Sequence, residues 1–292
     1  MDVWIIINPI LKTLLYVASF GSVGSFLFSF HFGKQLSEQQ QSYCNTLLNK
    51  SALIGSVITL LMILSVAGNL GGDLISVIDL LMIKLAIESK STIGYLTAFA
   101  GFVMMLLANK KKTKAQQVTF FIGSVAVLCS FTLAGHAQLS GVLTQSLLLL
   151  HLFGLAFWLG ALLPFHWICQ QSDTSNLISL AHRFGVLAIF HVGLLLIAGL
   201  TYAYVLLGDL NLIFTTSYGN VLLTKIVLVS LLLTLAALNK FKLVPLLKKN
   251  PIQGVRRFNS SVQFEITLAL LILLTSSLLT TSLTLPMGMR NI

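Results

Sequence analysis

The fold follows from an apolar stretch near the middle of the chain, LHLFGLAFWLGALLPF at residues 150–165. A run of this kind, continued on both sides by further apolar residues, predicts a helix that crosses a membrane. It carries one titratable side chain, the imidazole of His151. Titratable groups are costly in hydrocarbon, so an intramembrane histidine usually faces a bundle interior, a cavity or a metal ion. His151 is therefore the first candidate for a functional role.

The whole chain is strongly apolar, like this stretch. Of its 292 residues, 56% are hydrophobic and 9% are charged, and the mean hydropathy is +0.93. Soluble domains carry about 25% charged residues. The length allows about eight spans of about 20 residues joined by short connections. We therefore predict an all-α polytopic membrane protein, a bundle of eight transmembrane helices that forms a single integral membrane domain over residues 1–292.

Apolar runs mark the positions of the eight spans. The first run is longer than the apolar part of a signal peptide and follows no basic residue, so we expect it to be a retained span. Charged side chains interrupt the segment 73–90 too often for a span, and we predict an interfacial amphipathic helix there. The predicted spans lie at about 4–30, 51–70, 91–108, 118–135, 144–168, 184–207, 219–238 and 262–284.

The net charge is +10, and the distribution of the basic residues along the chain indicates the topology. Most lysines and arginines fall in the connections after the first, third, fifth and seventh spans. Cytoplasmic connections retain positive charge, so both termini are expected on the outer side of the membrane. Attraction to anionic membrane lipid accounts for the same residues, and we expect no nucleic-acid partner.

Two histidines fall in the outer leaflet of this topology. His136 lies at the outer end of the fourth span, and His151 lies roughly 8 Å outward of the midplane of the fifth. His191 lies about as far toward the cytoplasm, which puts it about 15 Å in depth from His151 and beyond the reach of one shared metal ion. His136 and His151 are thus the predicted metal ligands.

Sulfur-bearing residues extend this outer site. Met287 and Met289 follow the last span on the outer side, and thioethers favour soft metal ions. Cys129 precedes His136 by two helical turns on nearly the same face and could continue an ion path. The three cysteines lack C-x-x-C spacing, so they are expected to be reduced thiols rather than disulfides or a zinc site.

Other residues within the spans shape the predicted pathway. Glu265 lies a few residues into the last span, where an acid needs a partner. Trp158 and Gly160 follow His151 on the fifth span, and the glycine allows close helix approach. These residues are predicted to line or shape a transport pathway.

In its ordered combination of motifs, the chain resembles the copper resistance D (CopD) family of bacterial inner-membrane proteins. The likeness is strongest over about residues 90–285. Two positions depart from the pattern: Ala161 replaces a second glycine after Trp158, and His191 replaces a small residue. The matching stretches are Gly135-His136-Ala137, Leu150-His151, Trp158 to Pro164, Arg183-Phe184, Thr216 to Gly219 with Lys225, Ala236 to Lys240 with Pro245, and Ser261-Val262 with Glu265.

The resemblance implies an eight-span protein of the cytoplasmic membrane that acts in copper resistance or copper uptake beside a periplasmic CopC-like copper-binding protein. His136, His151, Trp158 and Glu265 match by position and are the residues it singles out. The expected cargo is a copper ion received from the periplasmic side and passed inward. No nucleotide-binding motif is present, and we expect transport without enzymatic activity.

Two further functions fit the residues. A haem b electron-transfer protein needs two axial histidines at similar depth, which His166 with His191, or His136 with His151, would supply. A general solute permease or partner subunit would make no use of the histidines. The absence of a Soret band in the purified protein would remove the first alternative.

Overall fold

The computed structural model describes residues 3–108, 114–133 and 141–283. These ranges are helical and contain no strand, so the predicted all-α class is confirmed. The helices are α1 (Trp4–Phe32), α2 (Glu38–Gly71), α3 (Leu80–Glu88), α4 (Lys90–Leu107), α5 (Lys114–Ser130), α6 (Gly141–Cys169), α7 (Leu177–Leu207), α8 (Leu212–Thr215), α9 (Ser217–Leu238), α10 (Val244–Lys249) and α11 (Pro251–Thr281).

Seven helical segments of the described chain are long and apolar enough to cross a membrane. They are α1, α2, α4, α6, α7, α9 with its continuation through α10, and α11. The chain is therefore a multi-pass membrane protein. The remaining predicted span coincides with α5, a shorter helix of 17 residues. The count of eight spans and the side on which the termini lie stay predictions.

Several helices begin or end at residues that satisfy free backbone groups. Ser37 and Gln40 form a capping box at the start of α2, in which each side chain bonds the backbone of the other residue. Gly72 follows the end of this helix with a φ of 79°, a conformation that favours glycine. Asn250 caps α11, and Pro251 occupies the first turn, where its missing N–H costs nothing.

The segment 73–90 is helical in two short pieces, a 3-10 turn over Ile75–Ile78 and the nine-residue α3. Asp73 accepts hydrogen bonds from the hydroxyl and the backbone N–H of Ser76, which hold the pKa of this carboxyl below its usual value. Asp79 caps α3 through the N–H groups of its first turn. The single amphipathic helix that we expected is thus divided at Asp79.

The first helix is central to the bundle, because α1 packs against α2, α6 and α11. The start of α1 meets the end of α11: Ser282 donates to the Ile5 carbonyl at 3.1 Å, and Thr13 donates to the Ser277 hydroxyl at 2.9 Å. The two helices therefore run antiparallel, and the start of α1 and the end of α11 lie at the same end of the bundle.

Glycines bring α1 and α6 into close contact. Gly24 and Gly160 face each other, and a Cβ on either would collide with the backbone of the other. Small residues at helix crossings allow this approach in membrane proteins, where dispersion contacts contribute much of the association energy. Trp158, two residues before Gly160 on α6, is buried in the bundle.

Candidate functional site

His151 is fixed by contacts between α6 and α7. Its Nδ1 lies 3.0 Å from the carbonyl oxygen of Leu195. Because a carbonyl only accepts, Nδ1 carries the proton and Nε2 keeps its lone pair. Gly199 faces the same ring and leaves room for it. Lys225 of α9 is its charged neighbour. The ring is thus oriented with one nitrogen available for a ligand.

The other predicted outer ligands, His136, Met287 and Met289, lie outside the described residues. Cys129 lies in α5 as a free, partly exposed thiol. Within the described ranges, no group of three or more His, Cys, Asp or Glu side chains is arranged to hold a metal ion. The outer metal site therefore stays a prediction that rests on His136 and His151.

Glu265 finds its partners on α6 and on the segment after α9. Only 3% of its surface is exposed. The Nδ2 of Asn239 donates to Oε1 of Glu265, and the side chain of Trp158 is the second hydrogen-bonding neighbour of the carboxyl group. A buried acid in a membrane protein requires such partners. The structure thus joins Trp158 and Glu265, two residues that the sequence analysis named separately.

Asn239 begins a π-helical turn, Asn239–Leu243, between α9 and α10. Turns of this kind are rare and occur frequently at functional sites. The Oδ1 of Asn239 is buried and has no hydrogen-bond partner among the described residues. It is a free acceptor next to a carboxyl group. Asn239 was not among the site residues predicted from the sequence, although the stretch Ala236 to Lys240 belongs to the resemblance.

A cavity of about 200 Å³ lies beside this carboxyl group. It has room for several water molecules. Lys240 closes part of its wall and donates to the Gly185 carbonyl at 3.0 Å. The carboxyl group of Glu265 and the free amide oxygen of Asn239, in the lining of this mainly apolar cavity, can hold a proton, a water molecule or a cation. The other walls come from apolar side chains of α6, α7, α9 and α11, among them Leu162, Phe165, Phe184, Ile189, Val192, Leu233 and Val262.

A buried cation occupies the other side of the bundle. The Nζ of Lys12 lies 4.9 Å from the ring centre of Phe131, 5.6 Å from that of Tyr95 and 5.8 Å from that of Tyr16. Aromatic faces attract a cation. The contacts with these rings account for the burial of Lys12 without a bound ligand.

His166, one of the histidines considered for haem, has both ring nitrogens engaged. Nδ1 lies 2.7 Å from Oδ1 of Asn259, and Nε2 lies 3.1 Å from Nε2 of Gln170. Axial ligation would require the loss of one of these contacts. His191, its proposed partner, is stacked on Phe157 at 3.9 Å.

These features define the class of the molecule: a multi-pass helical membrane protein with a buried carboxyl group and oriented histidines in its bundle. Two family models match the sequence: "Copper resistance protein D-like, N-terminal domain" over residues 1–145, and "Copper resistance protein D" over residues 178–279. The chain belongs to the copper resistance protein D family. This confirms the resemblance drawn from the sequence.

A relative among the curated proteins is the "Copper transport protein CutJ" of Bacillus subtilis (strain 168). It is 24% identical over 286 residues, which cover 92% of this chain and 51% of the relative. The chain thus spans about half the length of this protein. No solved structure matches the chain.

Proposed function

We propose that this protein moves copper ions across the bacterial cytoplasmic membrane, receiving them from the periplasmic side. The observation that carries the proposal is the match of two copper resistance family models to most of a chain built as a multi-pass bundle. The Bacillus relative, which is named as a copper transport protein, supports the same cargo. The role is transport and not catalysis.

The first step of the proposed path is the outer site. His151 has an oriented ring whose Nε2 lone pair is available, and neutral imidazole is a good copper ligand. His136 supplies the second imidazole, with Met287 and Met289 as soft ligands that receive the ion. A CopC-like periplasmic protein is the proposed donor.

The second step is the cavity beside Glu265. A cation that leaves the outer site needs a compensating negative charge inside hydrocarbon, and Glu265 is a buried carboxyl group with a free acceptor, Asn239 Oδ1, next to it. Trp158 and Asn239 orient this carboxyl group. We propose that Glu265 balances the charge of the ion during its passage.

The contacts between α1 and α11 support the proposed topology. Because the start of α1 lies beside the end of α11, the chain between them crosses the membrane an even number of times. Seven long helices and the shorter α5 supply eight crossings. The positive connections then favour an outer position for both termini.

Copper uptake into proteoliposomes of known orientation tests the proposal. We expect wild-type protein to carry copper across the bilayer, and His151→Ala and Glu265→Gln to reduce the initial rate at least about tenfold. His182→Ala is the matched control, because this histidine lies on an exposed part of α7. Equal rates for the wild type, for both variants and for empty liposomes would refute the function.

Copper tolerance and copper content of cells give a second measurement. Cells with the wild-type chain are expected to differ from cells lacking it in both quantities, and His151→Ala cells are expected to match the latter. If His151→Ala and Glu265→Gln cells keep the wild-type phenotype, the assigned residues are wrong even though copper handling stands.

A further inference from the structure

Two histidines from different helices meet inside the bundle. His31 lies at the end of α1, and His191 lies in the middle of α7. Their ring centroids are 6.0 Å apart, and the ring planes are nearly perpendicular. His191 is buried and His31 is partly buried. The two residues are far apart in the sequence and lie on different helices. Their contact therefore results from the packing of α1 against α7.

Both rings are held in the same tautomer. Nδ1 of His31 lies 2.8 Å from the Leu27 carbonyl oxygen, and Nδ1 of His191 lies 3.0 Å from that of Leu187. The carbonyl oxygens accept, so each Nδ1 carries a proton and each Nε2 keeps a lone pair. Histidines that ligate metals commonly have this arrangement, in which the other ring nitrogen donates to a backbone carbonyl. Each ring therefore keeps one nitrogen with a lone pair that can bind a metal ion.

The separation of the rings fits a single ion between them. A metal-to-nitrogen distance is about 2.0 Å, and the ring centre lies about 1.1 Å beyond the nitrogen, so two imidazoles on opposite sides of an ion have centroids about 6.2 Å apart. The observed 6.0 Å is close to this value. A two-coordinate site requires both Nε2 atoms to turn toward the ion when it binds, because the ring planes are perpendicular without it.

The surroundings select the kind of ion. Phe157 stacks on His191 at 3.9 Å and lies 5.5 Å from His31. In the described part of the chain, the pair has no third His, Cys, Asp or Glu that would complete a larger ligand group. Zn²⁺ takes four ligands, and the cost of burying an ion rises with the square of its charge, so a divalent ion costs about four times as much as a monovalent one. Two neutral ligands in an aromatic setting favour a soft monovalent ion.

We propose that His31 and His191 form a two-coordinate site for Cu(I) between α1 and α7. The site is separate from the pair His136 and His151, and its identity as a copper site rests on the proposed function. His31 lies at the end of α1 away from the contact of Ile5 with the end of α11. The pair would thus receive an ion that has already entered the bundle from the outer side.

Anaerobic Cu(I) titration of the purified full-length protein against a chromogenic Cu(I) chelator tests this site, together with X-ray absorption of the loaded protein. We expect one bound Cu(I) ion to have two nitrogen ligands and to remain bound in the His151→Ala variant, which lacks an outer ligand; the variants below are therefore compared in that background. His31→Gln and His191→Gln are each expected to weaken this binding by at least about 100-fold, since the loss of an outer-shell partner alone costs about 10- to 100-fold. The double variant His31→Cys with His191→Cys is expected to restore tight binding, because thiolates are good Cu(I) ligands.

Matched controls separate ligation from packing. Phe157→Leu removes the ring that stacks on His191 but keeps both imidazoles, and it is expected to bind Cu(I) within about threefold of wild type. His166→Gln removes a histidine outside the pair and is expected to have no effect. Wild-type affinity in both His31→Gln and His191→Gln would overturn the site, as would an equal loss in Phe157→Leu. A Soret band from copurified haem that disappears in His191→Gln would also overturn it.

The failure of the site is distinguishable from the failure of the proposed function. If wild-type protein transports copper but the two variants keep its Cu(I) affinity, the site is wrong and the function stands. If wild-type protein neither transports copper nor alters copper tolerance, the function fails whatever the titration gives.

Discussion

The contact between Gly24 and Gly160 makes a quantitative prediction for Gly160→Ala. The added Cβ would lie 2.7 Å from the Gly24 carbonyl carbon and 3.2 Å from its oxygen, and closer still to the Gly24 Cα. Van der Waals contact between carbons requires about 3.5 Å or more, so α1 and α6 must separate. Overpacking of this kind costs about 1–3 kcal/mol, and the gain from replacing a helical glycine is about 0.5–1 kcal/mol. We expect a net loss of up to about 2.5 kcal/mol in the free energy of unfolding.

Denaturation by sodium dodecyl sulfate in mixed micelles, followed by the fluorescence of the three tryptophans, measures this loss. Gly193→Ala is the matched control: it is the same substitution within α7, where an added Cβ meets nothing within 4 Å. It is expected to leave stability unchanged or to raise it by up to about 1 kcal/mol. The double variant Gly24→Ala with Gly160→Ala should lose less than the sum of its parts, because both substitutions open one crossing. Equal stabilities of Gly160→Ala and Gly193→Ala would refute the close approach.

Three further substitutions test other contacts by the same denaturation assay. Ser37→Ala removes the cap of α2 and should lower the free energy of unfolding by about 1 kcal/mol. Ser230→Ala should lower it much less, because Ser230 is exposed and bonds only to its own helix. Equal losses would argue against the capping box. Asn176→Ala removes donors to the Gln40 side chain at 2.6 Å and to a backbone carbonyl at 2.8 Å, and should cost about 1–3 kcal/mol. Glu265→Ala should lower the free energy of unfolding by about 1–3 kcal/mol, because it leaves the buried amide of Asn239 without its acceptor. Glu265→Gln keeps an acceptor oxygen and should lose less than half as much. A greater loss in the Gln variant would contradict the assigned bond.

Hydropathy predicted the helices of this chain well, because the length of an apolar run is limited by the bilayer. The predicted run at 144–168 lies within α6, Gly141–Cys169. Charged side chains correctly excluded a span at 73–90. The division of that segment follows from Asp79, whose carboxylate bonds the first turn of α3 and so begins a new helix. Hydropathy does not predict such a side-chain cap, because it averages over residues and takes no account of individual hydrogen bonds.

Helix partners were harder to predict, since lipid and bundle interior are both apolar. The sequence marked His151 and Glu265 as polar groups that need partners, but it gave no way to choose Asn239 for Glu265. The pairing of His31 with His191 depends on the crossing of helices that are far apart in the chain. The π-helical turn at Asn239 also has no sequence pattern that distinguishes it from an ordinary helix end.

The contact of α1 with α11 has a consequence for the synthesis of the protein. Thr13 meets Ser277, a residue that follows it by 264 positions. At about 5–20 residues per second, translation needs roughly 13–53 s to deliver this partner. During that time the face of α1 that later contacts α11 has to be covered by lipid, by an insertion factor or by a different helix. Newly made chains stopped before α11 should therefore be degraded faster by membrane quality-control proteases than the full-length chain.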